Sequence, residues 1–221
     1  MTVLAIVQAR MSSARFPGKV LAPFRGEPIV RHVLRAVAQV RGCERTMVAT
    51  STDRSDDPLA AYVNTLGTPA LRGPLANVFA RFRRCVERTP CEWILRVSAD
   101  SPLLSPSVLQ RVVDLAGTTP CDLVTTIFPR TFPRGQNAEL IRVSTFLAID
   151  PAGLSVEELE HVTPVYYRNP ERFRIHNVES GTPELAASSL AVDTIDDLQR
   201  LERLSDSEIA GVSNRRAVEL Q

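Results

Sequence analysis

Residues 3–8, Val-Leu-Ala-Ile-Val-Gln, form an unbroken apolar run that stops at a polar loop containing proline and glycine. A strand covered on both faces reads this way, because neither side of its pleat meets water. From Pro28 the period lengthens. Ile29, Val30, Val33, Leu34, Val37 and Val40 recur at helical spacing with arginines between them, and Gly42 ends the run. The same alternation continues: a strand at Thr46–Thr50, a helix at 57–66 closed by Gly67, and an amphipathic helix at Leu75–Arg88 with Val78, Phe79, Phe82 and Val86 inward. A strand at Trp93–Val97 and a helix at Pro106–Leu115 complete the first half. Strand and helix alternating at this interval predict right-handed βαβ crossovers and an α/β fold, its central sheet mostly parallel with helices on both faces. After Cys121 the pattern loosens. Strands are expected at 121–128 and 138–143 around a Pro/Gly-rich segment, then a helix at Ser155–Tyr167 and a strand at Phe173–Val178. A short strand at Leu190–Asp193, a helix at Thr194–Leu204 and a polar tail over 206–221 close the chain.

Composition narrows the classes. The 221 residues are 44% hydrophobic and 23% charged with a net charge of +1, an ordinary globular balance in which no bulk field recruits nucleic acid or a membrane. An anionic ligand must therefore be held by local arrangement. The first residues carry no cationic leader, their apolar run is too short for a secretory signal, and no stretch reaches the roughly 18–20 apolar residues of a membrane span. On these features a cytoplasmic protein is expected. Cys43, Cys85, Cys91 and Cys121 lack paired spacing and read as reduced thiols, not as a zinc site or disulfide framework.

Three polar constellations fall at expected strand ends, where open α/β sheets bind ligands. The first is the loop after the opening strand, with Gln8, Ala9, Arg10, Ser12, Ser13, Arg15, Gly18 and Lys19. Cations, hydroxyls and glycine within a dozen residues suit a phosphate cradle. It is not a Walker A loop, since Val20 follows the lysine where Ser or Thr is required. Of the 26 Lys and Arg residues only Lys19 is lysine, and it sits here. A compact ammonium slides between phosphate oxygens where a planar guanidinium does not. The plainer reading is a solvated basic loop in an arginine-rich chain. The second constellation is Arg96-Val-Ser98-Ala99-Asp100-Ser-Pro102, in which Asp100 leaves a strand just before a proline turn. In isolation such an Asp is more often a turn former. The third is Val192-Asp193-Thr-Ile-Asp196-Asp197. Asp196 and Asp197 suit the first turn of a helix, which leaves Asp193 as the candidate for chemistry. Two strand-end carboxylates facing a phosphate cradle are equipment for Mg²⁺-dependent phosphoryl or nucleotidyl transfer.

The segments Arg10–Leu21, Arg96–Leu103, Phe132–Glu139, Glu160–Pro164 and Val192–Asp197 resemble, in order, the cytidylyltransferases of the spore-coat polysaccharide biosynthesis type, relatives of the CMP-Kdo and CMP-sialic acid synthetases. The resemblance covers nearly the whole chain. It implies a GT-A-like nucleotidyltransferase fold in one domain over 1–221, with a nucleotide-binding half at 1–120 and an acceptor and dimerisation half at 121–205. It also implies a reaction in which CTP and an acidic sugar or similar hydroxyl compound give a CMP-conjugate and pyrophosphate with Mg²⁺, carried out by a homodimer.

Carried over position by position, Arg10, Arg15 and Lys19 would grip the triphosphate and Asp100 and Asp193 the metal. The base and ribose would lie over Gln8, Ala9, Thr50, Ser51, Thr52 and Arg72, with Ser12, Ser98 and Ala99 completing the nucleotide site. The acceptor would meet Arg134, Gln136, Asn137, Glu139 and His161. The chain has Ser98-Ala99-Asp100 where relatives commonly have Thr-Gly-Asp, so a methyl group stands where the backbone approaches the nucleotide. Gln136-Asn137, where relatives often carry aspartate, points to a different acceptor. His161 on an amphipathic helix can equally bond locally, and Glu139 can simply pair with Arg134 or Arg142. Two other readings stay open: a transferase of the same fold using another NTP or a nucleotide-sugar, and a catalytically silent nucleotide-binding subunit.

Overall fold

The computed structural model describes residues 1–118 and 120–212. In chain order the elements are β1 (Val3–Gln8), the small hairpin strands β2 (Pro23–Phe24) and β3 (Glu27–Pro28), α1 (Ile29–Val37), β4 (Arg45–Ser51), α2 (Asp57–Thr65), β5 (Ala70–Gly73), α3 (Val78–Arg88), β6 (Trp93–Ser98) and α4 (Pro106–Asp114). They continue with β7 (Leu123–Thr125), β8 (Glu139–Arg142), α5 (Val143–Leu147), α6 (Val156–His161), α7 (Pro164–Arg168), β9 (Ile175–Asn177), α8 (Ile195–Glu202) and α9 (Asp206–Val212). A seven-stranded sheet runs β5-β4-β1-β6-β8-β7-β9. Every neighbouring pair is parallel except the two that β8 makes, with β6 and with β7. The sheet is thus mostly parallel with helices on both faces, as the sequence pattern predicts.

The alternation along β1 divides the core. Val3, Ala5 and Val7 face a layer with α1, α2 and α4, whereas Leu4 and Ile6 face α3, α5 and α7. A third, smaller cluster joins Phe24 and Ile29 to Leu103, Leu190, Val192, Leu201 and Ile209. It ties the segments that follow the first loop and β6 to the end of the chain. No helix among the described residues is long and apolar enough to cross a membrane.

Several expected elements differ. The helix expected over 155–167 is two helices, because Val162 takes a left-handed φ of 69° and Pro164 starts the second. Residues 190–193 form no strand: the chain there is held by the Arg134–Ser189 bridge and by Val192 N donating to the Asp100 carbonyl at 2.8 Å. Residues 206–212 of the expected polar tail form α9, which docks Ile209 into the third cluster. The rest of that tail, 213–221, lies outside the described residues.

Gly135 sets the seat of the final segment. Its φ is +91°, and a Cβ there would lie 2.6 Å from the Leu190 carbonyl carbon and 2.8 Å from Ala191 N. Only glycine lets the 134–135 backbone come that close while Leu190 N bonds the Arg134 carbonyl at 2.7 Å. Gly135→Ala is therefore expected to lower stability by about 2–4 kcal/mol in urea unfolding, from left-handed strain and steric overlap together. A change below about 0.5 kcal/mol, the scale of an ordinary surface substitution, would contradict this account of the crossing.

Candidate active site

β1 and β6 are adjacent, parallel and in register, with Gln8 opposite Ser98, so the residues that follow each emerge side by side. Ala99 N donates to the Gln8 carbonyl at 3.0 Å, which carries the pairing one residue beyond the strands. Beyond those ends lies a cavity of about 390 Å³. Gln8, Ala9, Arg10, Arg15 and Lys19 line it from the first loop, Ser98, Ala99 and Asp100 from β6, His161 from the end of α6, and Asp193 from the late segment. Ser13, Ala14, Val20 and Arg96 complete the wall.

Lys19 is the centre of this arrangement. Its side chain passes inward, leaving the residue 8% exposed. Its Nζ donates to Asp100 Oδ2 at 3.0 Å, Asp193 Oδ1 at 2.9 Å and the Val192 carbonyl at 2.8 Å. An ammonium has three donors, and all three are spent on oxygens. The other oxygen of Asp193 pairs with Arg15 at 2.9 Å, and Arg10 pairs with Glu160 of α6 at 2.7 Å. Each of the three loop cations thus faces a carboxylate across or beside the cavity. Asp100 and Asp193 converge on one point, and hard carboxylate oxygens suit Mg²⁺. Among the described residues no group of three His, Cys, Asp or Glu side chains forms a metal cluster, so a cation here would draw its remaining ligands from substrate or water.

The loop itself is braced from below by Asp56, which the sequence pattern does not single out. Fully buried, Asp56 accepts from Met11 N at 2.6 Å and Ser51 N at 3.0 Å, and from the Ser51 hydroxyl. One carboxylate therefore joins the phosphate-type loop to the end of β4. Nearby, the fully buried guanidinium of Arg81 makes no hydrogen bond within the described residues. Burial lowers its pKa, and the charge of Asp56 opposes that shift. Gly73 leaves room for it, since a Cβ there would lie 2.8 Å from Arg81 Cγ. The helical pattern of α3 puts its arginines outward, and Arg81 departs from it because it falls on the buried stripe with Val78, Phe82 and Cys85.

His161 is held by backbone strain. Thr163 N donates to the His161 carbonyl at 2.8 Å around Val162, whose φ of 69° and ψ of −53° make a γ-turn of the rare, strained hand. Strain of this kind persists only where packing enforces it, and Val162 is fully buried. The turn leaves His161 exposed on the cavity wall.

Other predicted residues lie elsewhere. Ser12 is exposed on the loop outside the cavity lining. Thr50 and Ser51 are buried below it, Thr52 N bonds the Gly73 carbonyl at 2.8 Å, and none of them reaches the cavity. Arg72 spends its donors on the carbonyls of Ser51 (2.7 Å) and Asp53 (2.9 Å) and on Asp57 (2.6 Å). Gln136 is fully buried, accepting from Ser105 N at 2.9 Å and donating to the Leu103 carbonyl at 2.7 Å. Such a side chain braces the segment after Asp100 and cannot also meet an acceptor. Asn137 accepts from Arg130 at 2.7 Å. Glu139 pairs with Arg96, which lies opposite it in the β6–β8 register, and not with Arg134 or Arg142. It also accepts from Tyr167, and burial followed by this neighbouring charge holds the Tyr167 phenol well above its usual pKa. Arg134 is exposed. Burial pushes the thiols of Cys43 and Cys85 up to about 11 and about 12, so both stay protonated near neutrality.

A mostly parallel sheet with a basic loop and two converging carboxylates at its carboxyl ends defines a nucleotidyltransferase-type enzyme. The family profile described as cytidylyltransferase matches residues 4–214, and the chain belongs to that family. It is 28% identical to the spore coat polysaccharide biosynthesis protein SpsF of Bacillus subtilis over 211 residues, 91% of this chain and 85% of SpsF. A solved cytidylyltransferase from Leptospira borgpetersenii superposes with a TM-score of 0.87 at 26% identity, covering 96% of this chain and 92% of that one. A CMP:2-keto-3-deoxy-manno-octonic acid synthetase solved with CTP shares the fold, with a TM-score of 0.68 at 17% identity over 91% of this chain and 97% of that one.

Because Asp56 satisfies three donors and faces a buried guanidinium, Asp56→Ala should lower stability by about 3 kcal/mol or more in urea unfolding. A loss under about 1 kcal/mol would mean that it does not brace the loop.

Proposed function

We propose that the enzyme transfers CMP from CTP to the hydroxyl of an acidic sugar or similar acceptor, releasing pyrophosphate. The observation that carries this reading is the convergence of three loop cations and two carboxylates on one cavity at the ends of β1 and β6. Arg10, Arg15 and Lys19 bind the triphosphate, the two guanidiniums as forks and the lysine as a point charge. Gln8, Ala9, Ser98 and Ala99 form the floor against which the nucleoside lies. Asp100 and Asp193 would hold Mg²⁺, which would neutralise charge on the phosphates during the displacement. The acceptor oxygen bonds to the α-phosphorus as the bond to the β-phosphate bridging oxygen breaks, and the hydroxyl proton is lost. Preference for cytosine rests on family membership, and the Ala99 methyl group narrows the floor beneath the base. CTP is a cytoplasmic metabolite, which sets the compartment of this reading.

Half-buried Arg130 has its pKa lowered first by burial and then by the charge of Arg134, while the charge of Glu139 opposes the shift. Arg130 and Arg134 would supply the cations for a carboxylate-bearing acceptor, outside the lining of the cavity on which His161 stands. We also propose a homodimer through the turn at Ile127–Arg130, where Phe128 is exposed and stacks on Tyr167 at 4.9 Å. Phe132, four residues further on, belongs to the core and takes no part in this surface. Light scattering at micromolar concentration should read twice the chain mass, and a monomer would remove this part of the proposal.

The test of the chemistry is pyrophosphate release from each NTP with Mg²⁺ and a pool of sugar acids. CTP should be the preferred substrate, and Asp100→Asn and Asp193→Asn should each cut turnover by about 10²-fold or more in variants that still melt cooperatively, although at a lower temperature because each loses a partner of the buried Lys19 ammonium. Equal release from all four NTPs would remove the cytidylyl assignment. Near-normal turnover of either variant at limiting Mg²⁺ would remove that carboxylate's role.

A further inference from the structure

Lys19 and a divalent cation compete for the Asp100–Asp193 pair. The ammonium already lies 3.0 Å and 2.9 Å from one oxygen of each carboxylate, with the Val192 carbonyl at 2.8 Å as its third anchor. A metal drawn to the same two oxygens would approach each to about 2.1 Å, at the charge that the ammonium now neutralises. Like charge sets the two against each other there. The same three contacts consume every donor of the ammonium, so in this position it has none left for a phosphate.

Resting on the reading of these carboxylates as the metal ligands, we infer that Lys19 is an exchangeable counter-ion. It closes the Asp100–Asp193 pair to divalent cations until a polyphosphate draws the ammonium away. The geometry permits the exchange. Lys19 follows Gly18 at the end of the basic loop, and its nitrogen reaches the cavity that Arg10 and Arg15 also line. A polyphosphate entering that cavity offers oxygens to replace the three being lost, and the vacated carboxylates become free at the moment when phosphate oxygens arrive to complete a metal's shell. Metal and nucleotide therefore help each other bind, and by linkage the help is reciprocal. An arginine could not take this part, because a planar fork does not direct its donors at three oxygens around one point.

The test is Mn²⁺ titration without nucleotide, with the free ion read by electron paramagnetic resonance. Wild-type protein is compared with Lys19→Met, its folding checked by thermal melting. The variant should bind one Mn²⁺ on the order of tenfold more tightly than the wild type. Adding Asp193→Asn to Lys19→Met should abolish that gain. If Lys19→Met does not fold, Lys19→Gln takes its place, keeping donors for the Val192 carbonyl without the charge. A neutral variant that binds Mn²⁺ no more tightly than wild type overturns the inference, as does a gain that survives Asp193→Asn. Failure of pyrophosphate release would be a separate result: it would remove the transferase reading and leave the Mn²⁺ comparison to stand or fall alone.

Discussion

A single buried ammonium joins three parts of the chain that are far apart in sequence. Lys19 comes from the loop after β1, Asp100 from the end of β6, and Val192 and Asp193 from the segment before α8. The charges nearly cancel, with Lys19 and Arg15 set against Asp100 and Asp193, which is how ions are kept at a half-buried site. Beneath the knot the third core cluster packs the apolar neighbours of the same segments: Phe24 and Ile29 follow Lys19, Leu103 follows Asp100, and Val192 precedes Asp193. The apolar cluster supplies the burial that holds the segments together. The ammonium fixes their register.

The remaining site residues depend on similar but separate braces. Asp56 fastens the loop from below to the end of β4. Gln136 ties the turn after Asp100 to the segment that carries Gly135, and Gly135 admits the backbone that leads to Asp193. On the far wall, Arg10–Glu160 anchors α6 while the strained turn at Val162 leaves His161 on the cavity. Apart from the partly exposed Arg10–Glu160 pair, each of these braces is a polar group or backbone conformation held in the interior, so each is costly to remove and local in its effect.

Much of this was legible in the sequence because burial on two faces leaves a periodic trace. β1, β4 and β6 appeared as apolar runs, α2 and α4 as helical stripes within a residue of their observed ends, and α1 and α3 as stripes three residues too long at one end. The loop with Lys19 and Asp100 could be found because strand ends in parallel sheets are where polar residues gather, whereas Asp193 was reached through a strand at 190–193 that the fold does not form. What failed was long-range and chemical. A helical stripe does not show that Val162 turns left-handed. An apolar triplet such as Leu190–Val192 can belong to a loop seated on a core cluster as readily as to a strand. Gln136 and Glu139 read as acceptor contacts in the sequence, because their partners Ser105, Leu103 and Arg96 come from distant segments that no local pattern brings together. Asp56, next to Asp57 and two residues after Arg54, reads as a helix cap, although its carboxylate turns inward.

The central claim is that the Lys19 ammonium holds the carboxylate pair and then moves to the nucleotide. It is tested most directly by a crystal structure with a non-reactive CTP analogue and Mg²⁺. The account predicts Lys19 Nζ within hydrogen-bond reach of a phosphate oxygen and away from at least one of its present carboxylate partners, with the cation between Asp100 and Asp193. A structure with the analogue bound, Lys19 still on Asp100, Asp193 and the Val192 carbonyl, and the cation elsewhere would contradict it.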